Sequence, residues 1–106
     1  MAIAEDSEFV GRQLKLIILR IDDWRKGRRS LNSVLGDFMA LSAAMDSAEW
    51  SQLTQAIFLR LEEANAMNIV ESIPLNPSEI EREMQLLELA VSNFAESSGL
   101  SANEEF

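Results

Sequence analysis

The chain contains neither histidine nor cysteine among its 106 residues. Histidine is the usual general base near neutral pH and the commonest metal ligand, and cysteine is a frequent nucleophile and zinc ligand. Their absence excludes Ser-His and Cys-His nucleophile pairs, zinc sites of the usual kind and disulfide bonds. A chain without cysteine also fits a reducing compartment, so we expect a cytoplasmic protein.

Glycine and long apolar runs are scarce as well. The four glycines, at positions 11, 27, 36 and 99, are scattered, so the chain has no glycine-rich phosphate loop. The longest aliphatic run covers residues 16–19, far short of the ~20 apolar residues that a membrane-spanning helix needs. The first eight residues carry three acids and no base, which is the wrong charge for a secretory signal. We therefore expect a soluble protein that does not bind membranes.

Basic residues nearly disappear after residue 29. Residues 30–106 hold only Arg60 and Arg82 against thirteen acids, a net charge of −11, whereas residues 1–29 carry +2. A surface this acidic repels nucleic acid and attracts basic partners. The apolar fraction of 47% and the charged fraction of 25% are those of an ordinary globular protein. We therefore predict a basic protein as the partner and no binding of nucleic acid.

Apolar residues recur at spacings of three and four along the whole chain, which predicts an all-α fold. We predict helices at residues 6–26, 30–44, 47–66 and 77–98, with a frayed tail at 100–106. The clearest helix start is Asn76-Pro77-Ser78-Glu79, because Asn caps a helix and Pro suits its first position. Short connections favour antiparallel neighbours, so residues 1–106 are expected to form one domain, an antiparallel four-helix bundle.

Each predicted helix carries an apolar stripe that we expect to form the core. The stripes are Val10, Leu14, Ile17, Ile18, Ile21 and Trp24 in the first helix; Leu31, Val34, Leu35, Phe38 and Leu41 in the second; Trp50, Leu53, Ile57, Leu61 and Ala64 in the third; and Ile80, Met84, Leu87, Val91 and Phe94 in the fourth. Met39, Met45 and Met67 are expected to fill gaps in the same core.

Carboxylates alone could hold a divalent cation, but their spacing argues against it. All-helical nucleotide pyrophosphatases hold Mg²⁺ with Glu-x-x-Glu pairs on facing helices, and the only such pair here is Glu5 and Glu8, at the start of the first helix. Glu79 and Glu83 share a helix face, but acids in the first turns of a helix are favoured by its dipole without any metal. We predict no enzyme, no metal site and no cofactor.

Three acids lack an explanation in the predicted local structure. Glu62 and Glu63 fall in the last turns of the predicted third helix, where the dipole disfavours negative charge by roughly 0.3–1 kcal/mol each. Glu71 follows in the predicted connector, with no base beside it. They form either a solvated acidic edge, since exposed charges usually need no partner, or a docking patch that steers a basic protein.

Other residues are candidates for the same partner surface. Phe58 lies about 100° around the helix from Ile57, so it either broadens the core or forms an aromatic contact near Glu62. If the contact lies elsewhere, Asp37 on the second helix and Glu81 and Glu88 on the fourth are the next candidates.

The basic cluster at residues 25–29 has two interpretations. Arg25, Lys26, Arg28 and Arg29 follow the first helix, where they compensate its dipole and can pair with Asp22, Asp23 or the acidic helices. The alternative is an anion or nucleic-acid contact, against which the net charge of −9 argues.

Residues 14–61 contain a series of structural motifs. A helix closes in Asp23-Trp24-Arg25-Lys26-Gly27, Ser30-Leu31 opens a second helix with Asp37-Phe38 and Leu41 on it, and Trp50 opens the third. This series resembles a recurrent type of small, acidic, helical bacterial immunity protein that is encoded beside a toxin. The resemblance implies that the chain binds one cognate toxin tightly and blocks its active site, as in contact-dependent growth inhibition directed by nuclease toxins. It carries over no binding residues, because such proteins differ most where they touch their toxins.

The sequence is therefore compatible with two functions. The first is an immunity protein that neutralises a basic, nuclease-type toxin through an acidic helical surface. The second is a homo-oligomeric helical adaptor, secretion chaperone or regulator, suggested by Leu86, Leu89 and Ala90 beside the stripe of the fourth helix. The first is compatible with a monomer or a homodimer, whereas the second requires self-association.

Overall fold

The computed structural model describes the backbone of residues 2–99 and the side chains of residues 7–99. It contains four α-helices: α1 (Ala2–Arg25), α2 (Leu31–Met45), α3 (Ala48–Glu71) and α4 (Pro77–Ser97). Residues 2–99 form no strand, so the predicted all-α fold is confirmed. Helix α1 begins at Ala2 rather than at residue 6, and the tail predicted at 100–106 lies outside the described residues.

Three of the helices begin at a capping side chain. The Ser30 hydroxyl accepts a hydrogen bond from the N–H of Ser33, and the Ser47 hydroxyl accepts one from the N–H of Trp50. The Asn76 side chain accepts one from the N–H of Ser78, and all three bonds measure 3.0–3.2 Å. Each bond satisfies one of the N–H groups that a first helical turn leaves without a partner. These caps fix where α2, α3 and α4 begin, close to the predicted positions.

Helix α3 is longer than its sequence suggests, and this corrects the predicted end at residue 66 and the predicted connector at 69–75. The helix continues to Glu71 and ends where Ser72 turns left-handed, at φ 56°, with its N–H donated to the Met67 carbonyl. Two asparagines near the predicted end of the helix form side-chain bonds: Asn65 donates to Asn32 of α2, and Asn68 donates to the Ile73 carbonyl. Their side chains therefore do not compete with the helical backbone.

The helices pack side by side in a ring. Helix α1 contacts α2 and α4, and α3 contacts the same two helices, while the diagonal pairs do not meet within the described part of the chain. The connections at 26–30, 46–47 and 72–76 are short, so sequential helices run antiparallel. The four-helix domain is therefore confirmed, and its up-down-up-down order brings the first and third connections to the same end.

The core is built from the predicted stripes of all four helices. Its most deeply buried members are Leu14, Ile17, Ile21, Val34, Phe38, Trp50, Leu61, Met84, Leu87 and Val91. The ring of Trp50 meets that of Phe94 edge to face at 5.4 Å between centroids. The Trp50 indole N–H donates to the Ser42 hydroxyl at 2.8 Å, so the buried indole leaves no polar atom without a partner.

Two residues expected in the core lie at the surface. Leu53 and Met67 are each 38% exposed. The core position predicted for Leu53 is occupied by its neighbour Thr54. Thr54 is buried, and its hydroxyl donates a hydrogen bond to the Trp50 carbonyl at 2.8 Å. A threonine can be buried on a helix at little cost when its hydroxyl bonds the preceding turn, because no polar group is then left unsatisfied.

None of the helices in residues 2–99 has the combined length and apolarity required to cross a lipid bilayer.

Candidate protein-binding surface

Arg25, the last residue of α1, joins two acids of α4. Its guanidinium donates to both carboxylate oxygens of Glu81, at 2.6–3.1 Å, and to both of Glu88, at 2.7 and 2.8 Å. Hydrogen bonds to Glu88 and then Glu81 raise the pKa of Arg25, and the bond from Arg25 lowers the pKa of Glu81. Two of the candidate partner-binding acids thus share one positive charge, and the three side chains together keep one negative charge.

Asp37 of α2 is engaged in the same way. Its carboxylate accepts from Arg20 Nε at 2.8 Å and from Arg29 Nη1 at 2.6 Å. The rest of the basic cluster pairs locally, with Lys26 on Asp22 and Arg28 on Asp22 and Asp23. These contacts confirm the ion-pairing interpretation of the cluster, and they leave Asp37 little charge to offer a partner.

Arg60 is the only base of α3, and it is directed at α4. Its Nε donates to Glu83 at 2.8 Å, and this hydrogen bond raises the pKa of Arg60. The Glu83 side chain is only 14% exposed, and its second oxygen has no hydrogen-bond partner among the described atoms. The only basic side chain of α3 is therefore engaged in the contact between α3 and α4.

Glu62, Glu63 and Glu71 are exposed, and none of them forms an ion pair in the described part of the chain. Since α3 continues to Glu71, Glu62 and Glu63 lie about two turns before its end. The dipole penalty expected for these two residues therefore falls on Glu71 instead. Together they place three unbalanced negative charges on the second half of one helix.

Phe58 contributes mainly to the core. It is 7% exposed, and its ring stacks on that of Phe38 with 6.0 Å between centroids. Its remaining edge lines a groove of about 520 Å³ between α2 and α3, together with Met39, Ser42, Ser51, Thr54, Gln55, Leu59 and Glu62. The structure thus brings Phe58 and Glu62 to one groove, while most of the aromatic surface is already covered.

The second half of α3 also exposes aliphatic side chains that sequence reasoning missed. Ile69 and Val70 are 57% and 79% exposed. Leu61 is the last buried residue of α3, although the helix runs on to Glu71. The spacing of these residues indicates their exposure, because Leu59, Ile69 and Val70 fall outside the apolar stripe of the helix. The apolar residues of α3 therefore occupy more than one face.

A second depression lies between the end of α1 and the start of α4. It measures about 650 Å³ and is lined by Trp24, Arg25, Gly27, Pro77, Ser78, Glu81, Arg82 and Gln85. The charges in it are of both signs, and Arg25 is paired with Glu81. No group of three acidic side chains that could hold a metal ion occurs within residues 7–99.

Comparison of the chain with protein-family models, with curated proteins and with solved structures finds no match. The fold and the surface define an acidic, all-α four-helix domain in which four exposed acids of α3 form no ion pair within the described residues: Glu49, Glu62, Glu63 and Glu71.

Proposed function

We propose that the chain is an immunity-type inhibitor that binds a basic, nuclease-type toxin through the exposed acidic surface of α3. One observation carries the proposal, namely the distribution of charge after internal pairing. Six of the nine bases form ion pairs inside the described domain: Arg20, Arg25, Lys26, Arg28, Arg29 and Arg60. Glu62, Glu63 and Glu71 form none there.

Internal ion pairs change which charges a binding partner would encounter. Arg60, the only base of α3, is paired with Glu83 of α4, so no base of α3 is left to balance Glu62, Glu63 and Glu71. Such a surface accelerates association with a basic protein and repels nucleic acid. A nuclease cleft is basic because it binds phosphates, and carboxylates on a helix can occupy it in their place.

The motif series at residues 14–61 and its resemblance to toxin-immunity proteins support the same role. We place the complex in the cytoplasm, in keeping with the cysteine-free composition. Inhibition requires only binding and no catalytic group on this chain. The stoichiometry we propose is one chain for each toxin molecule.

Affinity capture from the source organism tests the proposal. Tagged wild-type chain is compared with Glu62→Lys/Glu63→Lys and with the control Glu8→Lys/Glu96→Lys. The two variants change the net charge equally, and Glu8 and Glu96 are also exposed acids without an ion pair within the described residues. We expect one basic protein, encoded beside this gene, to be captured by the wild type and the control and lost from the α3 variant. Capture of no basic protein contradicts the proposal.

A second function is favoured by a separate observation. Leu86 and Leu89 on the outer side of α4 are exposed, and so is Leu53 of α3. Apolar side chains on adjacent helices can form the contact of a homo-oligomeric adaptor, chaperone or regulator. Light scattering at high micromolar concentration tests this alternative: a stable dimer lost in Leu86→Ser/Leu89→Ser supports it, and a strict monomer excludes it.

A further inference from the structure

The end of α3 and the connector after it form an apolar tip, which we define as Met67, Ile69, Val70 and Ile73. All four side chains are exposed. Isolated exposed aliphatic residues are common on protein surfaces, but four within seven positions concentrate exposed apolar side chains at one end of α3.

The end of α3 runs past the start of α2. Asn65 bonds to Asn32, the second residue of α2, so α2 begins beside Asn65. Helix α4 begins at Pro77, immediately after the connector. The six residues of α3 after Asn65 therefore run about 9 Å past the start of α2, at 1.5 Å per residue.

The chain segment that carries the tip holds only negative charge. No lysine or arginine occurs between Leu61 and Glu81. Glu62, Glu63, Glu71 and Glu79 lie in this interval, exposed and without ion pairs in the described part of the chain. The bases of the first connection, at the same end of the bundle, are held by acids of α1 and α2: Lys26 by Asp22, Arg28 by Asp23 and Arg29 by Asp37.

We propose that the tip is the anchor of the interface, and that it inserts into an apolar socket whose rim carries lysine or arginine on a basic protein partner. This inference rests on the proposed function and specifies the chemistry of the partner surface. An apolar centre within a charged rim is the usual arrangement of an energetic hot spot, since the rim steers and the centre excludes water. Ile69 and Val70 are β-branched and already restricted in a helix, so their burial costs little side-chain entropy.

Charge argues against a second copy of the chain as the occupant. Two tips that met would bring Glu71 and Glu79 of each chain against those of the other, with no base in either interval to offset the repulsion. Like charges across an interface disfavour association, whereas a basic rim is attracted by the same carboxylates.

Two synthetic peptides serve as probes of this surface. One is an amphipathic helix of leucine and lysine, and the other replaces each leucine by glutamine, so that length and charge are equal. Each is titrated into ¹⁵N-labelled protein, and amide shifts give both the affinity and the contact site. The proteins are the wild type, Ile69→Ser/Val70→Ser and the control Leu89→Ser, which removes an exposed leucine of α4.

We expect the leucine–lysine peptide to shift residues 62–75 and to bind at least about tenfold more tightly than the glutamine peptide. The Ile69→Ser/Val70→Ser variant should lose about that tenfold for the leucine peptide only, and Leu89→Ser should lose nothing. The same spectra report that each variant is folded.

The other outcomes overturn either the apolar anchor alone or the proposed function as well. Equal binding of the two peptides at α3, or leucine-peptide shifts centred on the α2–α3 groove, overturns the apolar anchor and leaves acidic docking standing. If neither peptide shifts α3, the proposed function fails together with the anchor.

Discussion

Arg60 of α3 donates a 2.8 Å hydrogen bond to Glu83 of α4. The only base of α3 therefore closes a helix–helix contact and does not balance the acids one turn along its own helix. Glu83 is largely buried and one of its oxygens lacks a partner in the described structure, where Arg60 is the base that pairs with it.

Removal of Arg60 should therefore destabilise the domain. In Arg60→Ala the Glu83 carboxylate is left buried and unpaired, which costs more than the loss of an exposed ion pair. We expect a lower urea midpoint for Arg60→Ala and partial recovery in Arg60→Ala/Glu83→Gln, where no buried charge remains. An unchanged midpoint for Arg60→Ala would show that Glu83 does not depend on Arg60.

The Arg25–Glu81 contact predicts how stability depends on pH. Arg25 lowers the pKa of Glu81 in the folded protein, so the contact contributes stability above the ordinary glutamate pKa. That contribution is lost as the pH falls through the lowered value. In Arg25→Gln the pKa of Glu81 is no longer lowered by this partner. Thermal midpoints from pH 7 to pH 3 should fall more for the wild type than for Arg25→Gln, whereas parallel curves would contradict the contact.

Charge reversal at Glu71 tests where α3 ends. Glu71 is the last residue of the helix, where the dipole disfavours an acid and favours a base. Glu71→Lys should raise stability by about 0.5 kcal/mol, while Glu63→Lys, about two turns earlier, should change it little. Chemical denaturation measures both variants. A stabilised Glu63→Lys with an unaffected Glu71→Lys would instead indicate a helix that ends near residue 66.

Two leucines of α3 should differ sharply in their importance for stability. Leu61 is buried in the core, whereas Leu53 lies at the surface. We expect Leu61→Ala to cost about 2–5 kcal/mol because it leaves a cavity, and Leu53→Ala to cost less than ~1 kcal/mol. Urea denaturation with both variants checks this difference, and equal losses would place Leu53 back in the core.

The number and type of the helices follow from the sequence because local spacing and capping residues determine them. Ser30, Ser47 and Asn76 mark helix starts by chemistry that acts within one turn. The end of α3 does not follow, because Asn65 and Asn68 form side-chain bonds that only the folded chain provides.

The surface was less predictable than the fold. Arg25 meets acids of α4 that are 56 and 63 positions away along the chain. That pairing depends on the register of α1 against α4, which packing sets and local sequence does not. The candidate acids therefore separate into engaged ones, such as Glu81, and unpaired ones, such as Glu62, only once the helices are placed.

Charge reversal at Glu62 and Glu63 should separate binding from folding. Both residues lie within α3 and are exposed, so we expect Glu62→Lys/Glu63→Lys to change the free energy of unfolding by less than ~0.5 kcal/mol. Affinity for the captured partner should fall by at least ~1.4 kcal/mol, a tenfold effect. Calorimetric titration at two salt concentrations checks this, and the loss should shrink at high salt. Undiminished affinity would move the contact away from these acids.

Amide hydrogen exchange of the captured complex tests docking through α3 most directly. If the acidic surface and the tip form the interface, binding of the partner should slow exchange chiefly within residues 62–75, most of which are exposed in the chain alone. Slowed exchange confined to α1 and α2, with residues 62–75 unchanged, would contradict it.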